Sequence, residues 1–151
     1  MKLFLDINGT LIVHGADFLP HAADNLDEFL RWALGMGECY WLSGVDQTGS
    51  SENILKVLRK SLGKRRYHEL QPLLYAIRAT RWGRSELDAI DLADPEPWFW
   101  VDDNHGKAEL VILQSLGLEE RAINCPYNGL RQVRTKIEAL TASAAFTCVA
   151  D

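Results

Sequence analysis

The chain has 151 residues, 47% of them apolar and 25% charged, which is ordinary for a globular protein and argues against disorder or a fibrous repeat. That length fits one domain spanning residues 1–151, with a real core and no room for a second lobe of any size. No stretch approaches the ~20 apolar residues of a membrane span, and the net charge of −5 gives no global attraction to nucleic acid.

The apolar N-terminus is broken by Asp6 and Asn8 and has no small-residue cleavage site, so a cytoplasmic location without a membrane partner is the default expectation. Cys39, Cys125 and Cys148 show neither zinc-ligand spacing nor a disulfide framework, and read as partly buried thiols.

In chain order, Lys2 to Asp6 reads as a strand that stops at a carboxylate and turns through Asn8-Gly9-Thr10. Leu11 to Leu19 carries β-branched residues around His14-Gly15-Ala16-Asp17 and suits a small hairpin. Pro20 then opens a predicted helix through Met36, with Leu26, Phe29, Leu30 and Ala33 at core spacing. Cys39 to Leu42 is a second strand, and Ser51 to Leu62 a helix with Ile54, Leu55 and Leu58 on one face.

Tyr67 to Thr80 reads as a short strand followed by a helical turn after Pro72. Ser85-Glu86-Leu87-Asp88 has capping-box character, which predicts a short helix to Leu92. Strands follow at Trp98 to Val101 and Arg121 to Cys125, with helices at Lys107 to Leu116 and Leu130 to Leu140. Ala142 to Asp151 is a tail or an edge element. The β-α alternation predicts an α/β fold, a Rossmann-like parallel sheet between helical layers.

One basic run stands out: Lys56, Arg59, Lys60, Lys64, Arg65 and Arg66, around Gly63. Cations at a helix C-terminus complement its dipole, and no aromatic or Gly-rich loop is interleaved with these. A solvated helix end is therefore favoured over a nucleic-acid partner. Of the five tryptophans, Trp98 and Trp100 share a strand face and belong in the core, whereas Trp82 between two arginines is the candidate for exposure.

Three predicted strands end in polar residues: the first strand in Asp6, the Trp41-Leu42 strand in Ser43-Gly44, and the Trp98–Val101 strand in Asp102-Asp103-Asn104. Ligands of open α/β sheets bind outside the carboxyl ends of the strands, so these groups should meet in one crevice. With this order and spacing, the chain resembles the haloacid dehalogenase superfamily of phosphatases and phosphotransferases. Asp6-Ile7-Asn8-Gly9-Thr10-Leu11 looks like its first motif, Leu42-Ser43-Gly44 its second, a basic residue at Arg81 or Arg84 its third, and Val101-Asp102-Asp103-Asn104 its fourth.

The resemblance implies a three-layer α/β/α fold with a flap after the first strand and no large cap. It makes Asp6 the nucleophile that forms an aspartyl-phosphate on a phosphorylated substrate, small or macromolecular. Mg²⁺ would be held by Asp6, the backbone carbonyl of Asn8, and Asp102 or Asp103; hard oxygen ligands suit this cation. Ser43 and the Gly44 amide would bind phosphoryl oxygens, Gly9 and Thr10 would shape the turn, and Arg81, ahead of Arg84, would replace the family's Lys.

Asn8 departs from the pattern. The family's phosphatases have an Asp there that protonates the leaving group and activates water, help typically worth ~10²–10⁴-fold. Slow turnover with another base such as His14 or Asp17, a degenerate phosphate- or phosphoprotein-binding domain, and an engineered replacement are the open explanations.

Overall fold

The computed structural model describes the backbone of residues 1–147 and the side chains of residues 1–143. Strand β1 (Lys2–Leu5) leads to a ribbon of β2 (Ile12–His14) and β3 (Pro20–Ala22), then helix α1 (Leu26–Met36) and strand β4 (Glu38–Trp41). Helix α2 (Glu52–Ala76), strands β5 (Arg78–Ala79) and β6 (Trp98–Asp102), helix α3 (Lys107–Ser115), strand β7 (Ala122–Asn124) and helix α4 (Leu130–Thr147) complete the order. The larger sheet is wholly parallel in the order β5-β4-β1-β6-β7, and the β2–β3 ribbon is antiparallel and separate.

This is a Rossmann-like α/β arrangement. The chain winds outward from β1 through β4 to β5, then crosses to β6 and β7 on the other side, so the winding direction switches at β1 and β6. Such a switch opens a crevice at the strand C-termini.

Strand alternation sorts the core into two layers. Leu3, Leu5, Cys39, Trp41, Phe99, Val101 and Ile123 pack on one face against Leu30 of α1, Leu58 and Leu74 of α2, and Val133 of α4. Phe4, Trp98, Trp100 and Ala122 pack on the other against Leu113 of α3 and Leu87 and Ile90. Strands covered on both faces explain the unbroken apolar runs Leu3–Leu5 and Trp98–Val101. Each fully buried large side chain contributes roughly 1.5–3 kcal/mol. Trp98 and Trp100 are thus core, as expected, but Trp82 also packs against this second layer with its indole N–H buried, contrary to its expected exposure.

Four boundaries differ from the sequence reading. Pro20 opens no helix: it pairs with His14 in the ribbon, and α1 begins only after Asn25, which adopts a left-handed conformation (φ 62°). The fixed φ of Pro suits an extended edge strand as well as a helix start. The predicted strand after Tyr67 is instead helical, since α2 breaks at Gly63 and resumes through Pro72 to Ala76; burial of Leu70 and Leu74 overrides the proline.

The expected helix from Ser85 is a 3-10 turn, Glu86–Ala89, ended by the extended, buried Ile90. Residues 142–147 continue α4, and the remainder of the predicted tail, residues 148–151, lies outside the described residues. Cys39 and Cys125 are free and buried, which pushes their thiols up to about 12 and about 11. Cys148 is also outside the described residues. Among the described residues, no helix is long and apolar enough to cross a membrane.

The break in α2 has a backbone cause. Gly63 sits at φ 73°, ψ 161°, a region essentially restricted to glycine, while a Cβ there would meet nothing within 4 Å. Gly63→Ala is expected to lower stability by about 1–3 kcal/mol through backbone strain alone. Equilibrium chemical denaturation measures this; an unchanged midpoint would show that the break is not enforced by Gly63.

Candidate functional site

Sheet register assembles the site. Leu5 pairs with both Trp41 and Val101, so the next residues, Asp6, Leu42 and Asp102, come level at the crevice. The Asp6 amide donates to Val101 O at 3.0 Å and the Leu42 amide to Leu5 O at 2.9 Å, extending the pairing to the carboxylates. Asp6 is 7% exposed and Asp102 6%. With the exposed Asp103, they form a cluster whose candidate ligand oxygens all lie within 4.8 Å of one another.

Residues 7–12 close a tight loop behind Asp6. The amides of Leu11 and Ile12 both donate to Ile7 O, at 3.0 and 2.8 Å, and the Gly9 amide donates to Ile12 O at 2.7 Å. Gly9 is at φ 86°, which favours glycine, and a Cβ there would stand 2.2 Å from Asp103 Oδ2, so any other residue would displace the Asp103 carboxylate. Thr10 is fully buried and its hydroxyl has no hydrogen-bond partner among the described residues. Asn8, by contrast, is exposed.

Ser43 is buried at the end of β4, and its Oγ accepts from the Val45 amide at 3.4 Å. Gly44 is exposed, with open space where a Cβ would be. The loop beyond is held by buried Asp46, whose carboxylate accepts from the Thr48 amide (2.8 Å), the Thr48 hydroxyl (2.6 Å) and Asn53 Nδ2 (3.0 Å). These bonds hold Asp46 below the usual carboxylate range and fix the approach to α2.

The electrostatics are unbalanced. Burial, then Asp102, pushes Asp6 up to about 7, opposed by hydrogen bonding to Ser43 and the Ile7 amide. Asp103 is also raised, by burial and by Asp102. At an effective dielectric near 20, two carboxylates so close repel by about 3–4 kcal/mol. The groups that move Asp6 most include no cation. Three mutually destabilising carboxylates, two of them buried, offer the hard oxygen donors that fit a divalent cation such as Mg²⁺.

The two candidate arginines are not drawn into this cluster. Arg81 Nε donates to Thr48 O at 3.1 Å, and its side chain lines a separate cleft of about 280 Å³ with Lys2, Tyr40 and Asp91. The Arg84 side chain is exposed and makes no hydrogen bond or ion pair among the described residues. The flap candidates lie at the far end of the ribbon: His14 is exposed, and Asp17 Oδ1 accepts from the Leu19 amide at 3.1 Å.

Two groups near the cluster escaped the sequence reading. Glu86 is pushed up to about 8 by burial and then by Asp102, Asp6 and Glu109. The capping box was the available signal: Ser85 and Asp88 satisfy each other, leaving Glu86 free to face the crevice. His105 packs edge-on to Trp100 at 4.5 Å, its Nε2 3.1 Å from Trp100 O, and burial lowers its pKa against the pull of Asp102 and Asp103.

These shifts set a pH dependence. Unfolded, Asp6 loses its proton near pH 4; folded, it keeps it to about 7. The folded chain therefore binds more protons between these values, and stability is lost as pH rises through about 7, with Glu86 extending the loss to about 8. The melting temperature without divalent cations is expected to fall by several degrees between pH 5 and pH 8. Millimolar Mg²⁺ should restore it at pH 8 far more than at pH 5, and Asp6→Asn should flatten both responses in differential scanning calorimetry. A pH-independent melting temperature would contradict this account.

No family model and no curated protein compared with the chain matches it.

Proposed function

We propose that the chain is a Mg²⁺-dependent phosphotransferase or phosphatase of the haloacid dehalogenase type, acting on a phosphomonoester. The observation that carries this reading is the convergence of Asp6 and Asp102-Asp103 from two adjacent parallel strands at the switch point of the sheet. The tight 7–12 loop and the β2–β3 ribbon behind it are in keeping with the family's turn and flap and support this reading.

In this reading Asp6 attacks phosphorus through a carboxylate oxygen, forming the aspartyl-phosphate as the bond to the substrate oxygen breaks. Asp6, the Asn8 carbonyl and Asp102 or Asp103 would hold the cation, which supplies the positive charge that lets an anionic carboxylate approach an anionic phosphate. Ser43 and the Gly44 amide would bind phosphoryl oxygens. Arg81 or Arg84 would supply the cation of the third motif; Arg81 is held by Thr48 O, and Arg84 lies beside Asp88.

Asn8 limits the departure of the leaving group. Its amide can hydrogen-bond the leaving oxygen but holds no proton to give, so departure requires an alcohol that is a good leaving group or takes its proton from water. Asn8 favours a second reading, a phosphate- or phosphoprotein-binding domain that does not turn over.

Hydrolysis of p-nitrophenyl phosphate with Mg²⁺ separates the readings. Asn8→Asp is expected to raise kcat by about 10²–10⁴-fold, and Asp6→Asn to abolish it. Folded protein with no hydrolysis in either the unaltered chain or Asn8→Asp would sink the enzymatic reading. Tight Mg²⁺-dependent binding of beryllium trifluoride in that case would establish the binding domain.

A further inference from the structure

We infer that the break in α2 carries a binding surface for single-stranded nucleic acid, and that the phosphate acted on at Asp6 is the terminal phosphate of such a strand. The second half rests on the phosphoryl reading of the Asp6 site. The first stands on the surface itself.

In sequence the basic run lacked aromatics; folding supplies them. Arg59 and Lys64, on either side of the Gly63 break, line a groove of about 250 Å³ with Tyr67, His68, Gln71 and Tyr75. Tyr67, Gln71 and Tyr75 fall at four-residue spacing on one stripe of the resumed helix, and Tyr75 is 57% exposed. Burial, then a hydrogen bond with Tyr75, pushes Tyr67 up to about 12, and the two rings form an aromatic platform beside the two cations. A cationic groove with exposed rings matches the chemistry of a sugar-phosphate strand with unstacked bases.

The charges are available. Arg65 pairs with Glu69 at 3.0 Å and Arg66 with Asp27 at 3.0 Å, but Lys56, Arg59, Lys60 and Lys64 make no ion pair among the described residues. In a chain of net charge −5, four unpaired cations on one short segment form a local field of opposite sign. An anionic membrane fits less well, because apart from Tyr75 the exposed large apolar side chains lie on other elements, among them Phe18, Leu19 and those of α3.

The Gly63 end of the surface lies at the crevice end of the sheet, and the Tyr75 end lies near the start of β5. Helix α1 starts beside the C-terminal end of β1, where the Ala23 amide donates to Leu11 O at 2.9 Å, and it finishes at Gly37, against Met1 at the start of β1. Asp27, in its first turn, is therefore at the crevice end, and the Arg66–Asp27 pair brings the α2 break to that end as well. A strand lying along the groove with its terminus at the Gly63 break would end on the crevice side of the sheet.

The test is fluorescence anisotropy of the full chain with a labelled single-stranded RNA of roughly 12 nucleotides, with and without a terminal phosphate. Binding to both is expected, with a slope near −3 in log affinity against log salt, as about four released counterions give. Arg59→Glu/Lys64→Glu should weaken it at least ten-fold and Tyr75→Ala about five-fold, with circular dichroism unchanged.

Hydrolysis of p-nitrophenyl phosphate by Asn8→Asp should be unaffected by these substitutions, while Asn8→Asp should release the terminal phosphate. No binding at low salt, full binding by the double variant, or binding to phosphatidylserine vesicles but not RNA would overturn the surface. RNA binding without any phosphatase activity overturns only the reading of Asp6; hydrolysis of p-nitrophenyl phosphate without release from RNA overturns only the terminal-phosphate substrate.

Discussion

Parallel pairing between β1 and β6 forces two carboxylates into one buried place, and much of the local structure answers to that constraint. Neither Asp6 nor Asp102 can withdraw, because each continues a strand whose neighbours are packed on both faces. Their repulsion is therefore built into the register of the sheet. It is tolerated through a proton retained near neutrality or, in the proposed function, through a divalent cation.

The surroundings sharpen the constraint. Gly9 removes the one Cβ that would keep Asp103 away, and Glu86 adds a further acid from the opposite layer. Cations stand elsewhere: Arg81 is tied to Thr48 O, and the densest basic run is on α2. Charge in this chain is segregated by element, with acids at the strand ends and unpaired bases on a broken helix. A phosphate ester bound between the two would be attracted by one and would need metal at the other.

How much was legible in the sequence depends on how local each signal is. The central strands were legible because Leu3–Leu5 and Trp98–Val101 are buried on both faces and read as continuous apolar runs. Asp6, Ser43 and Asp102-Asp103 were legible as strand-end polar residues whose meeting follows from the topology. The course of α2 was not, because Gly63 and Pro72 signal termination while burial of Leu70 and Leu74 decides otherwise. Glu86 and the Tyr67–Tyr75 groove were missed for a related reason: their neighbours come from distant segments, and nothing in the local pattern names them. Trp82 misled because flanking arginines suggest solvent, whereas its ring is held by the second core layer.

The central place of β1 also governs when the site can exist. Its partner β4 is made soon after it, but β6 arrives only after α2, β5 and the 3-10 turn have been added. Asp6 is therefore laid down almost first and meets Asp102 only after the chain closes a loop spanning most of its length. Such non-local pairings form late and slowly in folding. A nascent or partly unfolded chain carries an isolated, unexceptional aspartate, and the electrostatic tension that defines the site appears only when β6 joins the sheet.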